Sequence, residues 1–348
     1  MIPAKAYAVH SPTEKLAPWN FERREVGADD VMIEILYCGV CHSDIHQVRS
    51  EWFPGIYPMV PGHEIVGRIV KVGSNVSNFK EGELAGIGCM VDSCQECGNC
   101  KKGYEQFCEV GKTVFTYNGF EKDGKTPTYG GYSNKIVTDQ NFVLHVSDKL
   151  PLEGVAPLLC AGITTYSPLR KWNIGKGHKV AVLGLGGLGH MAVKFAVSFG
   201  AEVTVLSTSP GKEADALKLG AHKFCNTKDA AQVKQFNSYF DFIIDTVAAE
   251  HDYDMYLKML AANGVQVLVG IPSTPINFSA FSLLTNGRSL SASSIGGIPE
   301  TQEMLDYCAE HNIVSDVEVI NINYINEAYE RVIKSDVKYR FVIDLATI

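Results

Sequence analysis

The chain has 348 residues, of which 46% are hydrophobic and 20% charged. A chain of ~300 residues buries roughly 75% of its unfolded surface, so this composition supports a sizeable core and excludes a disordered, collagen-like or small disulfide-stapled protein. The formal net charge of −8 at pH 7 offers no uniform basic footprint, so neither nucleic acid nor an anionic membrane surface is an expected partner.

At ~100–200 residues per domain the length predicts two domains. Over residues 1–152, runs at 31–36, 65–72, 135–137 and 142–146 are separated by glycine-rich turns and predict short strands of a β-rich domain. The longest apolar stretch, 180–193, is interrupted by glycines and His190 and is shorter than the ~20 residues of a membrane helix. Residues 1–15 hold no apolar block, so no signal peptide is expected and a reducing, cytoplasmic compartment fits. Between residues 153 and 290, strand-like runs at 179–183, 202–206, 240–244 and 265–269 alternate with helical patterns near 187–199 and 212–219. That alternation implies parallel βαβ units. Residues 291–348 return to a mixed texture, with helices near 300–311 and 325–334 and a strand at 340–343. The order predicts an α/β architecture in which a doubly wound parallel sheet is inserted into the β-rich domain.

Ten cysteines punctuate the chain, four of them within fifteen residues. In a cytosolic protein such clustering marks metal binding more often than disulfides. Cys94-Gln-Glu-Cys97-Gly-Asn-Cys100, followed by Cys108, supplies four thiolates from one compact lobe. That is the closed, tetrahedral set of a structural zinc site at ~2.3 Å per bond, and an iron–sulfur cluster would use similar ligands. A second group is dispersed: Cys41-His-Ser-Asp44-Ile-His46, Gly62-His63-Glu64 and Cys160. Two thiolates and one imidazole suit a catalytic zinc that keeps an open position. Spacing alone leaves Cys160 equally readable as core packing.

Gly62-His63-Glu64-x-x-Gly67 with Gly73 and Val76, Cys41-His-Ser-Asp44 and the four-cysteine lobe together resemble the zinc-dependent alcohol dehydrogenases of the medium-chain dehydrogenase/reductase superfamily. Tyr57-Pro-Met-Val-Pro-Gly-His-Glu64, Ser207-Thr-Ser209 and Val337-Lys-Tyr-Arg-Phe-Val-Ile-Asp344 resemble its cinnamyl alcohol dehydrogenase branch. The resemblance implies a Rossmann domain inserted into a GroES-like catalytic domain, two zinc ions per chain and a homodimer. It implies Cys41, His63 and Cys160 as catalytic zinc ligands, with Glu64 as an alternate ligand, and Cys94, Cys97, Cys100 and Cys108 on structural zinc. Asp44 then orients His63, and Ser43 with His46 relays the alcohol proton. His42, beside them, is an equally placed imidazole. Trp52, with Met90 nearby, matches the substrate pocket, although Trp52 could equally pack between domains.

Gly184-Leu-Gly186-Gly187-Leu188-Gly189 follows a strand and opens a helix, the setting that makes such a motif a dinucleotide site. Thr164 and Arg340 match family positions near the nicotinamide and a cofactor phosphate. Where an NAD site places an acid on the adenosine ribose, this chain has Ser207-Thr208-Ser209-Pro-Gly-Lys212. Hydroxyls and an ammonium accept a 2′-phosphate, which predicts NADP(H). The same serines also suit a helix cap. The reading is an NADP(H)-dependent alcohol dehydrogenase or aldehyde reductase for a small-molecule primary alcohol or aldehyde, of aromatic or allylic type. A polyol dehydrogenase and a non-catalytic NADPH- and zinc-binding protein are its rivals.

Overall fold

A computed structural model describes residues 1–272 and 274–348. They form two compact units, one of Met1–Ile163 with Gly296–Ile348 and one of Thr164–Ile295. The first division follows Ile163 rather than residue 152 because the helix Leu152–Val155 and the 3-10 turn Ala156–Leu159 pack on the strand Asp30–Val40.

Asp30–Val40 is the organising strand of the first unit. Val31, Ile33 and Ile35 alternate into the core, as a half-buried strand requires. It pairs antiparallel with Ile65–Val72 and Lys135–Asp139, and its end pairs with Arg340–Asp344. The full order is Val317–Asn321, Arg340–Asp344, Asp30–Val40, Ile65–Val72, Leu84–Ile87, Leu144–His145, with Lys135–Asp139 beside Asp30–Val40. This register explains why the last residues return to the β-rich unit: Arg340–Asp344 is an interior strand of its sheet. The strand expected over 142–146 shrinks to Leu144–His145, because residues 140–142 form a 3-10 turn capped by Asp139.

The second unit carries one six-stranded sheet in the order Lys223–Asn226, Glu202–Ser207, Lys179–Leu183, Phe240–Asp245, Leu260–Leu268, Ser289–Ala292. Every pairing is parallel. The chain therefore has the α/β architecture with a doubly wound sheet. Leu183, Leu206, Phe240, Ile243 and Leu257 belong to its core. The edge strand Lys223–Asn226 escapes the sequence reading because Cys225 alone in it is fully buried, so there is no apolar run to read. No helix among the described residues is long and apolar enough to cross a membrane.

Candidate active site

The four-cysteine lobe closes around its thiols. Cys97 caps the short helix Gly98–Lys101, its sulfur accepting from the Cys100 amide, and the amides of Cys97 and Glu109 point at Cys94 and Cys97 sulfurs at 3.4 Å. The ligand atoms of Cys94, Cys97, Cys100 and Cys108 all lie within 4.8 Å of one another, and Cys94 and Cys100 are 3.7 Å apart. A tetrahedron with ~2.3 Å metal–sulfur bonds has edges of about 3.8 Å, so the four thiols fit a closed zinc site. Lys101, Lys102 and Lys112 are exposed around it.

Cys41 directly follows the strand Asp30–Val40 and caps the helix His42–Val48. That corner brings Cys41 to Cys160, 119 positions away, at a sulfur separation of 4.0 Å. Cys41, His63, Glu64 and Cys160 form a wholly buried group with ligand atoms within 4.8 Å of one another. Cys160 thus sits with the dispersed ligand group. A hydrogen bond from Cys160, with Arg340 and His63 nearby, draws the Cys41 thiol well below its ordinary range. Two sulfurs and one imidazole gathered this closely are the donor set that zinc takes at a catalytic site.

Asp44 is fully buried, so it is no solvated loop charge. Its carboxylate accepts from the Cys41 amide at 2.9 Å, the Gly62 amide at 3.1 Å and His63 Nδ1 at 3.0 Å. Holding Nδ1–H fixes the tautomer and leaves Nε2 as the ligating nitrogen. Gly62 adopts φ +102°, and a Cβ there would meet the Tyr132 ring at 2.6 Å and the Cys38 sulfur at 2.8 Å, so this turn excludes any side chain. Glu64, also fully buried, pairs one oxygen with Arg340 while the other has no partner. Burial pushes the Glu64 carboxyl up to about 8 against the pull of Arg340. Gly39 makes the room, since a Cβ there would fall 1.9 Å from Glu64. Arg340, expected on a cofactor phosphate, is itself buried against Glu64, and its Nε is unpartnered.

Ser43 lies 3.5 Å from the Cys41 sulfur. His42, His46 and Trp52 form a continuous stack with centroid separations of 5.1 and 4.6 Å. Burial and the neighbouring His46 lower the His42 pKa, whereas His46 Nδ1 meets the exposed Glu51 at 2.5 Å. His46 thus has a carboxylate at its outer edge, a partner the sequence reading did not find. Trp52 is half-buried on this stack, and Met90 is buried in the strand Met90–Asp92.

In the second unit the glycine motif joins Lys179–Leu183 to the helix Gly189–Ser198. A Cβ on Gly189 would strike the Gly184 carbonyl at 2.2 Å, while one on Gly186 would meet nothing within 4 Å. The first enforces tight strand–helix packing, and the second leaves open space for a pyrophosphate. Gly187 and Leu188 complete the turn into that helix. Ser207 is buried at the end of Glu202–Ser207, its hydroxyl accepting from the Ser209 amide at 3.1 Å; Thr208 and Ser209 are exposed. Lys212 Nζ reaches back to the Leu185 carbonyl at 2.9 Å. The Lys212 ammonium therefore borders the glycine turn, three hydroxyl side chains stand at and just past the end of the adjacent strand, and residues 207–212 hold no acid. Thr164 is buried in the helix Ala161–Lys171 that follows Cys160.

Residues 27–148 match the family described as alcohol dehydrogenase GroES-like domain, and residues 187–310 match zinc-binding dehydrogenase. The chain is 54% identical to NADP-dependent alcohol dehydrogenase C 1 of Mycolicibacterium smegmatis, across 100% of this chain and 99% of that protein. Its fold is similar to cinnamyl alcohol dehydrogenase from Sorghum bicolor, with a TM-score of 0.96, 45% identity and coverage of 99% and 98% of the two chains. It is also similar to the CAD of Helicobacter pylori complexed with NADP(H), with a TM-score of 0.93, 47% identity and 99% of each chain covered.

Proposed function

The chain belongs to the zinc-dependent alcohol dehydrogenases of the medium-chain dehydrogenase/reductase superfamily, and from that membership we propose that it interconverts primary alcohols and aldehydes with NADP(H), favouring aryl or allylic compounds. The observation that carries this reading is the buried Cys41, His63 and Cys160 group with Asp44 on the histidine. The NADP-dependent and cinnamyl-type relatives support the cofactor and the substrate class.

When bound, zinc acts as a Lewis acid toward the carbonyl oxygen and the nicotinamide supplies hydride. Two thiolates and a neutral imidazole balance the dication, and Asp44 keeps His63 in the Nδ1–H form. Ser43, beside Cys41, takes the proton exchanged with substrate, and His46 carries it to the surface. The carboxylate of Glu51 supports His46 over His42 as the outer end, because it contacts His46 Nδ1 at the exposed edge of the stack. Glu64, with one unpartnered oxygen in the ligand group, is positioned as the alternate ligand, and Arg340 holds its other oxygen. The indole of Trp52 gives the pocket an aromatic face for planar aryl groups. The absence of an acid at residues 207–212 favours NADP(H) over NAD(H), and the complete ligand set weighs against a non-catalytic binder. The test is NADPH oxidation followed across aliphatic, aromatic and allylic aldehydes. Aromatic and allylic substrates should show the highest kcat/KM, and no reduction of any aldehyde would overturn the proposal.

A homodimer is supported by the strand Ser289–Ala292, which is an edge of its sheet. Phe281 and Leu284, in the helix just before it, are 76% and 72% exposed, and an open edge flanked by apolar side chains calls for a cover. Sedimentation at twice the 38.0 kDa chain mass is expected; sedimentation at the monomer mass would exclude it. A reducing, cytoplasmic location is supported by ten free cysteines.

A further inference from the structure

Asp44 has a fourth donor that neither the motif nor the proton relay accounts for. Tyr132, fully buried, directs its hydroxyl at the second Asp44 oxygen, 3.3 Å away. A carboxylate offers about four lone-pair sites; Cys41, Gly62, His63 and Tyr132 donate to it, and the buried Tyr117 hydroxyl lies close to it as well. Tyr329, from the helix Ile325–Ile333, donates in turn to the Tyr132 hydroxyl at 3.5 Å. The result is a buried chain of hydroxyls ending on the carboxylate that holds His63, in which each bond polarises the next.

The Tyr132 backbone is held by bonds that do not involve its hydroxyl. Three consecutive amides, those of Gly130, Gly131 and Tyr132, donate to the carbonyls of Val60, Gly62 and Pro61 at 2.7, 2.8 and 2.9 Å. This approach leaves no room for a Cβ on Gly130, which would fall 2.4 Å from the Gly62 carbonyl. Arg23 braces the other side, donating to the carbonyls of Tyr129 and Gly130 and to the Ser133 hydroxyl. The loop is thus stitched to the segment that leads into His63, and its tyrosine reaches past that segment to Asp44. We infer that Tyr132, backed by Tyr329, is a positioning residue that fixes the Asp44 carboxylate and through it the orientation of His63 on the metal. This inference rests on the reading of Cys41, His63 and Cys160 as the catalytic metal site.

Tyr132→Phe keeps the ring and removes the hydroxyl. Losing the direct partner of a ligating histidine typically costs ~10–100-fold in metal affinity or activity, and Tyr132 acts one hydrogen bond farther out, so the low end, ~10-fold, is expected. In chelator competition the catalytic-site metal of the variant should be held about that much more weakly, with the four-cysteine site unchanged. With cobalt(II) in the catalytic site, the visible ligand-field bands should shift, and kcat should fall with little change in KM. Tyr329→Phe should act in the same direction and less. Wild-type metal affinity and cobalt bands in folded Tyr132→Phe would overturn the inference, whatever the effect on kcat. If Tyr132→Phe does not fold, wild-type metal affinity and bands in Tyr329→Phe would overturn it. Cys41→Ala separates the two levels. If that variant keeps both metals, the site reading fails; if it loses one while Tyr132→Phe binds as wild type, only the positioning role fails.

Discussion

Cys41→Ala is expected to abolish turnover and leave one zinc per chain with the unfolding temperature nearly unchanged, whereas Cys100→Ala should destabilise the protein first. The asymmetry follows from what surrounds each group. Cys41 sits in a unit whose core is built from Val31, Ile33, Ile35 and many further apolar side chains, so the strand and helix that meet at Cys41 persist without metal. The four-cysteine lobe has no such support. Among residues 94–112 Cys100 alone is buried, and Tyr104, Phe107 and Val110 are exposed. Metal–thiolate bonds replace an apolar core there, and metal binding is then folding free energy. A loss of ~2–3 kcal/mol at about 2–4 °C per kcal/mol would lower the unfolding temperature by roughly 5–10 °C. Metal analysis of the wild type and both variants, with thermal unfolding, checks this. One zinc in a fully active wild-type chain would refute two separable sites.

The four-cysteine lobe and the glycine turn were legible because their chemistry is local. Three thiols at a repeat of three can face one ion, and a strand, a glycine turn and a helix are consecutive in the chain. The dispersed site was legible only in pieces. Cys41 meets Cys160 across 119 positions and Glu64 meets Arg340 across 276. The second distance is closed by the sheet, in which Arg340–Asp344 lies against the end of Asp30–Val40, and the first by the turn Ala156–Leu159 packed on that same strand; no spacing rule encodes either. Tyr132 left no signal for the same reason. A tyrosine after two glycines reads as an ordinary loop until Arg23 and residues 60–62 are seen to hold it. Glu51, five residues beyond His46, was within reach of a local reading, but a surface carboxylate has many commoner explanations.

Ser207→Asp should reverse or erase a preference for NADPH over NADH. In the wild type, the end of Glu202–Ser207 presents the buried Ser207 and exposed Thr208 and Ser209, with Lys212 turned back to the glycine turn at Leu185. Burial lowers the Lys212 pKa against the opposing charge of Asp215, and a 2′-phosphate beside it would further favour the ammonium form. A hydrogen bond to a charged group contributes ~1.5–3 kcal/mol, and each ~1.4 kcal/mol is tenfold in a binding or rate ratio. Two such contacts amount to a preference on the order of a hundredfold or more in kcat/KM for NADPH. An aspartate at 207 acts twice, because its carboxylate repels the phosphate dianion and accepts hydrogen bonds from the free ribose hydroxyls of NADH. Cofactor specificity is read from kcat/KM with each nucleotide at one saturating aldehyde concentration. Equal efficiencies in the wild type would mean that these serines only shape the turn into the next helix. The NADP(H) assignment would then fall, while membership of the dehydrogenase family would stand, because it rests on the two domain matches and the full-length relatives.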